Sequence, residues 1–556
     1  MKIVNPYCFK MNRNILALSL FLVMFSATVC SFASNDQFSS RPIKVLILSG
    51  SNNHEWKKTT PLLNRILDES GLFLTEITEK PDSMSYATWK KFDLIFCNAN
   101  TWPDNAARLG SQWENDFSRY VREGGGTLFF HASASSFYGW DDFRKIGIGR
   151  WGKETFHNAP VVASLYNLDQ KHPITKGLNG FRIMDEVWEK TELSDGAKAI
   201  GFLKATNARD GHAIDEPAIF VSQTGKGRNF FTILGHDERA LLNSGMRTLL
   251  LRAAQWCAGR AVTVLPPMEM STKKTDSKPK YSWVESDTTF TLLNHKETVW
   301  QFNYKDRFQR PYFHPLTVNN TLITCVSPPD HPHHLGMWFC WKYINHLNYW
   351  EYLNEYRSAK TGYKSEGATE IMDSKILRNP DYSADIRLSI NYHPLKGEPV
   401  MSEERSYHVS VPAKDGSYFI DEDHLFKVLS DSVVLDRTPP AIRGGRIQGG
   451  YAGISIRFSQ DFTSPVFKSS GDSTQCKKCD WQYYGFESLT GKKVGVKIEQ
   501  DQQYRSATNT WYIINDPLIP FYYFSPAVIF DSPVILRKGT TWRLKYRIQM
   551  MEGEVR

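Results

Sequence analysis

GGGTLFFHASAS, residues 124–135, decides how the first half of the chain folds. The glycines allow a tight entry, Thr127–Phe130 is a short and mainly apolar run, and His131 follows its last residue directly. A run without polar alternation fits a strand covered on both faces, as in parallel sheets. Upstream, IKVLIL (Ile43–Leu48) is a second such strand, Thr60–Ser70 is an amphipathic helix ending at Gly71, Phe92–Asn98 is another buried strand, and residues 110–122 form another helix. Downstream, Ala218–Ser222 and Phe230–Leu234 read as strands joined by TGKGR, and Met246–Ala258 as a closing helix. Buried strands separated by helices predict an α/β domain over about residues 41–262, with a doubly wound parallel sheet.

The histidines fall at the ends of these strands. His54 comes a few residues after the first, His131 directly after Phe130, and His236 after Leu234-Gly235; Asn98 and Trp102 sit at or just beyond another strand end. Open parallel sheets bind ligands outside the carboxyl ends of their strands, so His54, His131 and His236 are expected to share one site. Asp185 and Glu186 of RIMDEVWEK, and Asp237, supply carboxylates. Imidazole with carboxylate suits zinc-type ligation, acid–base work on a sugar, or substrate hydrogen bonding. No HExxH spacing selects among these, and a divalent metal is one expectation.

Residues 263–282 have the Pro, Ser, Thr and Lys content of a linker. From 283 to 556 the pattern changes to short alternating runs such as TFTLLN, GMWFCW, ADIRLSINY, ERSYHVSV, KVGVKIEQ and WRLKYRIQM. Regular strands with turn signals predict a large antiparallel β-sandwich. Its densest chemistry is RPYFHPL, with His314, followed by SPPDHPHHLGMWF, with Asp330, His331, His333 and His334. If that segment is extended, His331 and His333 face one way and His334 the other. The three imidazoles are candidate metal ligands, and Asp330, His331, His333 and His314 candidate acid–base groups; a tight polar turn is the plainer alternative. Arg405, Arg446 and the acidic run Asp421–Asp423 with His424 are weaker signals.

The chain has 556 residues, 41% hydrophobic and 23% charged, with a net charge of +8. That length needs at least two domains. No basic block interleaved with aromatics suggests nucleic acid. The 16 Trp, 25 Tyr and 33 Phe suit β-sheet cores and sugar-stacking surfaces alike. Residues 1–33 read as a cleaved signal peptide: a basic start, the apolar run Ile15–Val23 and Ser31-Phe32-Ala33 before the cut. Met11 is an alternative start, and Val29 makes Cys30 a poor lipoprotein site. The expectation is a periplasmic or extracellular product without a membrane span. Cys97, Cys257, Cys325 and Cys340 lie in apolar runs, while Cys476 and Cys479 form a lone CxxC that reads as a local disulfide rather than half a zinc site.

The succession VLILSG, HEW, GGGTLFFHASAS, HPITKGL, DEVW, GKGRNFFTILGHD and AAQWCAG resembles the ThuA family across the whole first domain. That resemblance implies a flavodoxin-like fold related to class I glutamine amidotransferases and a role in trehalose or keto-sugar utilisation. Those amidotransferases carry a cysteine nucleophile on the turn after a central strand; here that turn is His131-Ala132-Ser133, so amidotransferase activity is not expected. The run YFHPL through DHPHHLGMWF, with ERSY, GGRIQGGYAGISIRF and WRLKYRIQM, resembles the PmoA-like family (DUF6807). The methane-oxidation label belongs to membrane assemblies and is not carried over. Together these predict an exported protein of carbohydrate catabolism, an enzyme on glycosides or keto-sugars. His54 and His131 would be bases or ligands oriented by Asp185 or Glu186, and Asp330 would orient His331 or His333. The competing expectation is a non-catalytic carbohydrate-binding or scaffold protein; a thiol redox protein using Cys476 and Cys479 is a third.

Overall fold

A computed structural model describes residues 41–272, 278–305, 310–351, 365–441, 449–471, 479–501, 503 and 510–555. The predicted signal segment, Arg446 and Cys476 lie outside these residues; Cys479 is disulfide-bonded. No helix among the described residues is long and apolar enough to cross a membrane.

The first half is built on β1 (Ile43–Leu48), α1 (Trp56–Glu69), β2 (Phe73–Thr78), β3 (Leu94–Cys97), α2 (Ser111–Arg122) and β4 (Gly126–Phe130). It continues with β5 (Val161–Tyr166), β6 (Arg182–Asp185), β7 (Lys198–Thr206), β8 (Ala213–Thr224), β9 (Gly227–Thr232) and α3 (Ser244–Cys257). The nine strands form one sheet in the order β2-β1-β3-β4-β9-β8-β7-β5-β6. Strands β2 to β9 in that order are parallel, with Leu48 beside Cys97, Cys97 beside Phe129 and Phe130 beside Thr232. Their carboxyl ends are therefore level, and the segments carrying His54, Asn98, His131 and His236 leave from one edge. Gly126 admits no side chain, because a Cβ there would lie 2.3 Å from the Cys257 carbonyl oxygen at the end of α3.

The remaining pairings are antiparallel, so the wholly parallel sheet expected from sequence is corrected to a mixed one. The physical reason is connection length. The TGKGR turn is far too short for the crossover that parallel neighbours need. Strands β5, β6 and β7 are half-exposed and alternate rather than run apolar, which hid them among loops.

The second half contains two large antiparallel sheets. One has nine strands, from Tyr281–Glu285 to Thr510–Asp516, and the other eight, from Gly367–Arg378 to Thr463–Ser469. Apolar side chains of both sheets, including Trp300, Phe313, Phe339, Ile386, Phe426 and Ile548, meet in one buried cluster. The acidic strand Tyr418–Val428 shows period-two alternation: Glu422 and His424 face inward with Ile420 and Phe426, while Asp421 and Asp423 face outward. Inside, His424 bridges Glu403 at 2.7 Å and Glu422 at 3.0 Å, and Arg405 bonds Glu403 in bidentate fashion at 2.6 and 2.8 Å.

The halves are joined by more than the connecting chain. Within the segment read as a linker, Met270 is buried in the core of the first half, and its carbonyl accepts the Asn179 N–H at 2.7 Å. From the second half, Leu489 is buried in that same core. The Leu489 carbonyl accepts the Arg182 N–H at 2.7 Å, and Glu487 pairs with the Arg182 guanidinium at 2.6 Å. Asp461 accepts both the N–H and the hydroxyl of Ser244, at 2.6 and 2.5 Å, at the start of α3.

Candidate metal centre

The turn after β4 carries the key residue. His131 is buried and holds a left-handed backbone, φ 46°, a conformation that costs a β-carbon residue of order 1 kcal/mol or more and gathers at working sites. Its Nδ1 lies 2.7 Å from the carbonyl oxygen of Ile233. A carbonyl only accepts, so Nδ1 carries the proton and Nε2 turns a lone pair into the site. His54 is held likewise: its Nδ1 lies 3.1 Å from Asn52 Oδ1 and 3.0 Å from Asn53 Oδ1, which leaves its Nε2 as the other lone pair. The two Nε2 atoms are 3.2 Å apart. With a lone pair on each, they repel unless a cation lies between them.

Two more donors complete the group. His236 Nδ1 is 3.3 Å from His131 Nε2, and the Glu186 carboxylate lies 3.3 Å from each of those two nitrogens. One ligand atom from each of His54, His131, Glu186 and His236 falls within 4.8 Å of all the others. A metal bound tetrahedrally at about 2.0–2.1 Å sets its donors about 3.3 Å apart. The separations of 3.2 and 3.3 Å around His131 match, within a group that spans up to 4.8 Å, and the hydrogen bonds from the far ring nitrogens of His54 and His131 to amide and backbone oxygens are the support that metal-ligating histidines use. The residues present fit a divalent transition metal.

Burial, with the neighbouring His131 and His236, pushes His54 down to about 3, so it is neutral and free to ligate. Burial opposes ionisation of Glu186, but the His131 and His236 imidazoles beside it hold its carboxyl well below the usual range. His236 is raised despite burial, because Glu186 bonds it, so metal binding there must displace a proton. Asp185 stands behind the site: Oδ1 accepts the N–H groups of Glu186 at 2.8 Å and His236 at 3.1 Å, and Oδ2 that of Gly235 at 2.6 Å. Burial nevertheless raises it to about 6. It positions two ligands through their backbones and does not face the site.

Above the donors lies a cavity of about 90 Å³ lined by Asn53, His54, Asn100, Trp102, Ala132, Ser135, Trp151, His157, Glu186 and Trp188. His157, on the short strand Phe156–His157 paired with Trp188–Glu189, reaches Glu186 at 3.0 Å. Sequence reading missed it, since FHNAP follows no recognisable strand. Asn52 and Asn53, two residues and one before His54, were equally silent.

The other predicted residues lie in the second half. Asp330, His331, His333 and His334 are not extended: the His331 N–H bonds the Pro328 carbonyl and the His334 N–H the His331 carbonyl, which folds them into consecutive turns. Two prolines favour that geometry, and the expected opposite facing of His333 and His334 is corrected. The rings instead pack together, with centroid separations of 4.7 Å for His331–His334 and 4.9 Å for His333–His334. Asp330 orients His331 through Nδ1 at 2.9 Å, as expected, and is itself held by Arg457 at 2.8 Å. His314 does not join this ring cluster. It bonds Thr324 Oγ1 at 2.9 Å and lines a 420 Å³ cavity with Cys325, Asp461 and Arg247.

Each half is similar to a known family. Residues 44–257 match the ThuA family model, described as trehalose utilisation, and residues 289–556 match DUF6807, a family of unknown function. A ThuA-like protein from Parabacteroides merdae ATCC 43184 is 24% identical, with 42% of this chain covering 96% of that one at a TM-score of 0.36. A second, from Bacteroides uniformis ATCC 8492, is 20% identical, with 40% covering 94% at a TM-score of 0.32. No curated protein matches the chain.

Proposed function

We propose that this chain, a ThuA segment joined to a DUF6807 segment, is an exported metal-dependent enzyme of carbohydrate catabolism acting on glycosides or keto-sugars. The observation that carries the reading is the pair of facing Nε2 lone pairs on His54 and His131 at 3.2 Å, with His236 and Glu186 closing round the same point. A divalent ion held there would polarise a sugar carbonyl or hydroxyl and lower the pKa of a bound water. The trehalose-utilisation description of the matched family supports a sugar as substrate. So do the walls of the cavity, where the half-buried Trp102 and Trp151 supply aromatic surface and Asn53, Asn100 and Ser135 supply polar groups. A volume of about 90 Å³ is well below that of a pocket enclosing a whole ligand. The site therefore takes one end of the substrate. We read the fold of the second half as a β-sandwich.

One observation favours a second reading. Four protein donors close a tetrahedral ion, as in structural sites, and would leave a carbohydrate-binding protein without turnover. A six-coordinate ion on the same donors keeps two positions open. The deciding experiment is metal analysis of the purified chain, followed by incubation with native and 3-keto glycosides with and without chelator. Turnover lost on chelation and restored by one divalent metal supports the enzyme. Bound metal with no product from any glycoside supports the binding protein, and a His131→Ala protein that keeps its full metal content refutes the centre itself.

A further inference from the structure

A second site of different chemistry lies in the other half of the molecule, on the aromatic cluster of Tyr312, Trp338, Trp350, Phe521 and Tyr523 beside the His331–His334 turns. Arg310 is buried there. Its guanidinium donates to the Trp350 carbonyl at 2.7 Å, to the Glu351 carbonyl and to Cys340 Sγ at 3.6 Å, all neutral acceptors. Among the described residues no carboxylate pairs with it. The neighbouring charges cancel one another: Lys342 holds both oxygens of Glu351 at 2.8 and 3.0 Å, and Arg457 holds Asp330. Among the described residues these two pairs leave Arg310 as one uncompensated positive charge, in surroundings where a lone ion is strongly disfavoured.

The polar atoms without partners point the same way. Trp338 Nε1 and His334 Nδ1 are buried and lack hydrogen-bond partners. The indole N–H only donates, and His334 donates in its Nδ1–H tautomer. Native proteins leave few such donors unmet, and each calls for a missing acceptor. We propose that this group binds a small organic carboxylate: Arg310 supplies the opposing charge, Trp338 and His334 supply donors, and the aromatic rings pack the ligand's carbon skeleton. The site is independent of the metal centre.

Calorimetric titration of the full chain with glucuronate, gluconate, acetate and glucose tests this, in protein with and without chelator. The expected result is saturable binding of the acids, unchanged by chelation, and none of glucose. Glucuronate or gluconate binding far tighter than acetate would assign a sugar acid, while equal affinity would assign a site that reads the carboxylate alone; either supports the proposal. Trp338→Phe should weaken the acid about tenfold, the loss of one charge-assisted hydrogen bond. Arg310→Gln should abolish binding of the acids. If Arg310→Gln does not fold, Trp338→Phe decides alone. No binding of any acid, equal binding of glucose, or unchanged affinity in Trp338→Phe would overturn the proposal.

Discussion

Asp185→Asn is the sharpest probe of how the metal centre is held. The carboxylate takes three backbone N–H groups, from Glu186, Gly235 and His236. The amide keeps one acceptor oxygen and turns an NH2 toward whatever the other oxygen served. If the NH2 replaces Oδ2, it meets the Gly235 N–H; if it replaces Oδ1, it meets those of Glu186 and His236. Either way at least one charge-assisted bond, worth about 1.5–3 kcal/mol, becomes a buried clash of donors. The segments that Asp185 holds carry two of the four donors, Glu186 and His236, the second next to Gly235, and loss of such outer support costs metal sites about 10–100-fold in affinity. Competition titration with a chromophoric chelator should find that drop for Zn²⁺ or Co²⁺. Thermal unfolding should show a larger deficit with metal than without, since binding stabilises the fold in proportion to affinity. A variant that loses the same stability in both states, with unchanged metal affinity, would refute the coupling of Asp185 to the ligands.

Three further outcomes follow from the packing. Leu489→Ala removes a side chain of the second half that is buried in the first-half core, and should destabilise by about 2–5 kcal/mol, read by denaturant unfolding. Arg405→Met leaves Glu403 buried without its bidentate partner and should cost about 3–5 kcal/mol, whereas Glu403→Gln with Arg405→Met together should recover much of the loss. His314, pushed down to about 4 by burial, stays neutral in the fold at a pH where the unfolded chain takes a proton. Its contribution is intact above about 6.5 and is lost as pH falls toward 4, so His314→Gln should flatten the acid limb of stability in that window.

How much was legible in the sequence depended on whether a signal was local. Ile43–Leu48 and Thr127–Phe130 announced themselves because strands covered on both faces need no alternation, and the histidines one step past them were then placed by topology alone. Glu186 was found because it follows a strand end in DEVW, although its partner Asp185 serves the backbone rather than the site. His157 and the Asn52-Asn53 pair were invisible, because their roles come from contacts across the fold and from ring-nitrogen tautomers that no spacing encodes. The DHPHH run was conspicuous, yet its alternation was misjudged: prolines at 329 and 332 bend it into turns. Arg310 gave no signal, since a buried charge is defined by the partners it lacks.

The seating of Leu489 in the other half's core changes what counts as a module in this protein. A boundary drawn at the connecting peptide would leave residues 41–262 with an open socket and the β-rich half with an exposed apolar plug. Any exchange of either part between relatives must carry socket and plug together, so the two halves are expected to be inherited as a matched pair.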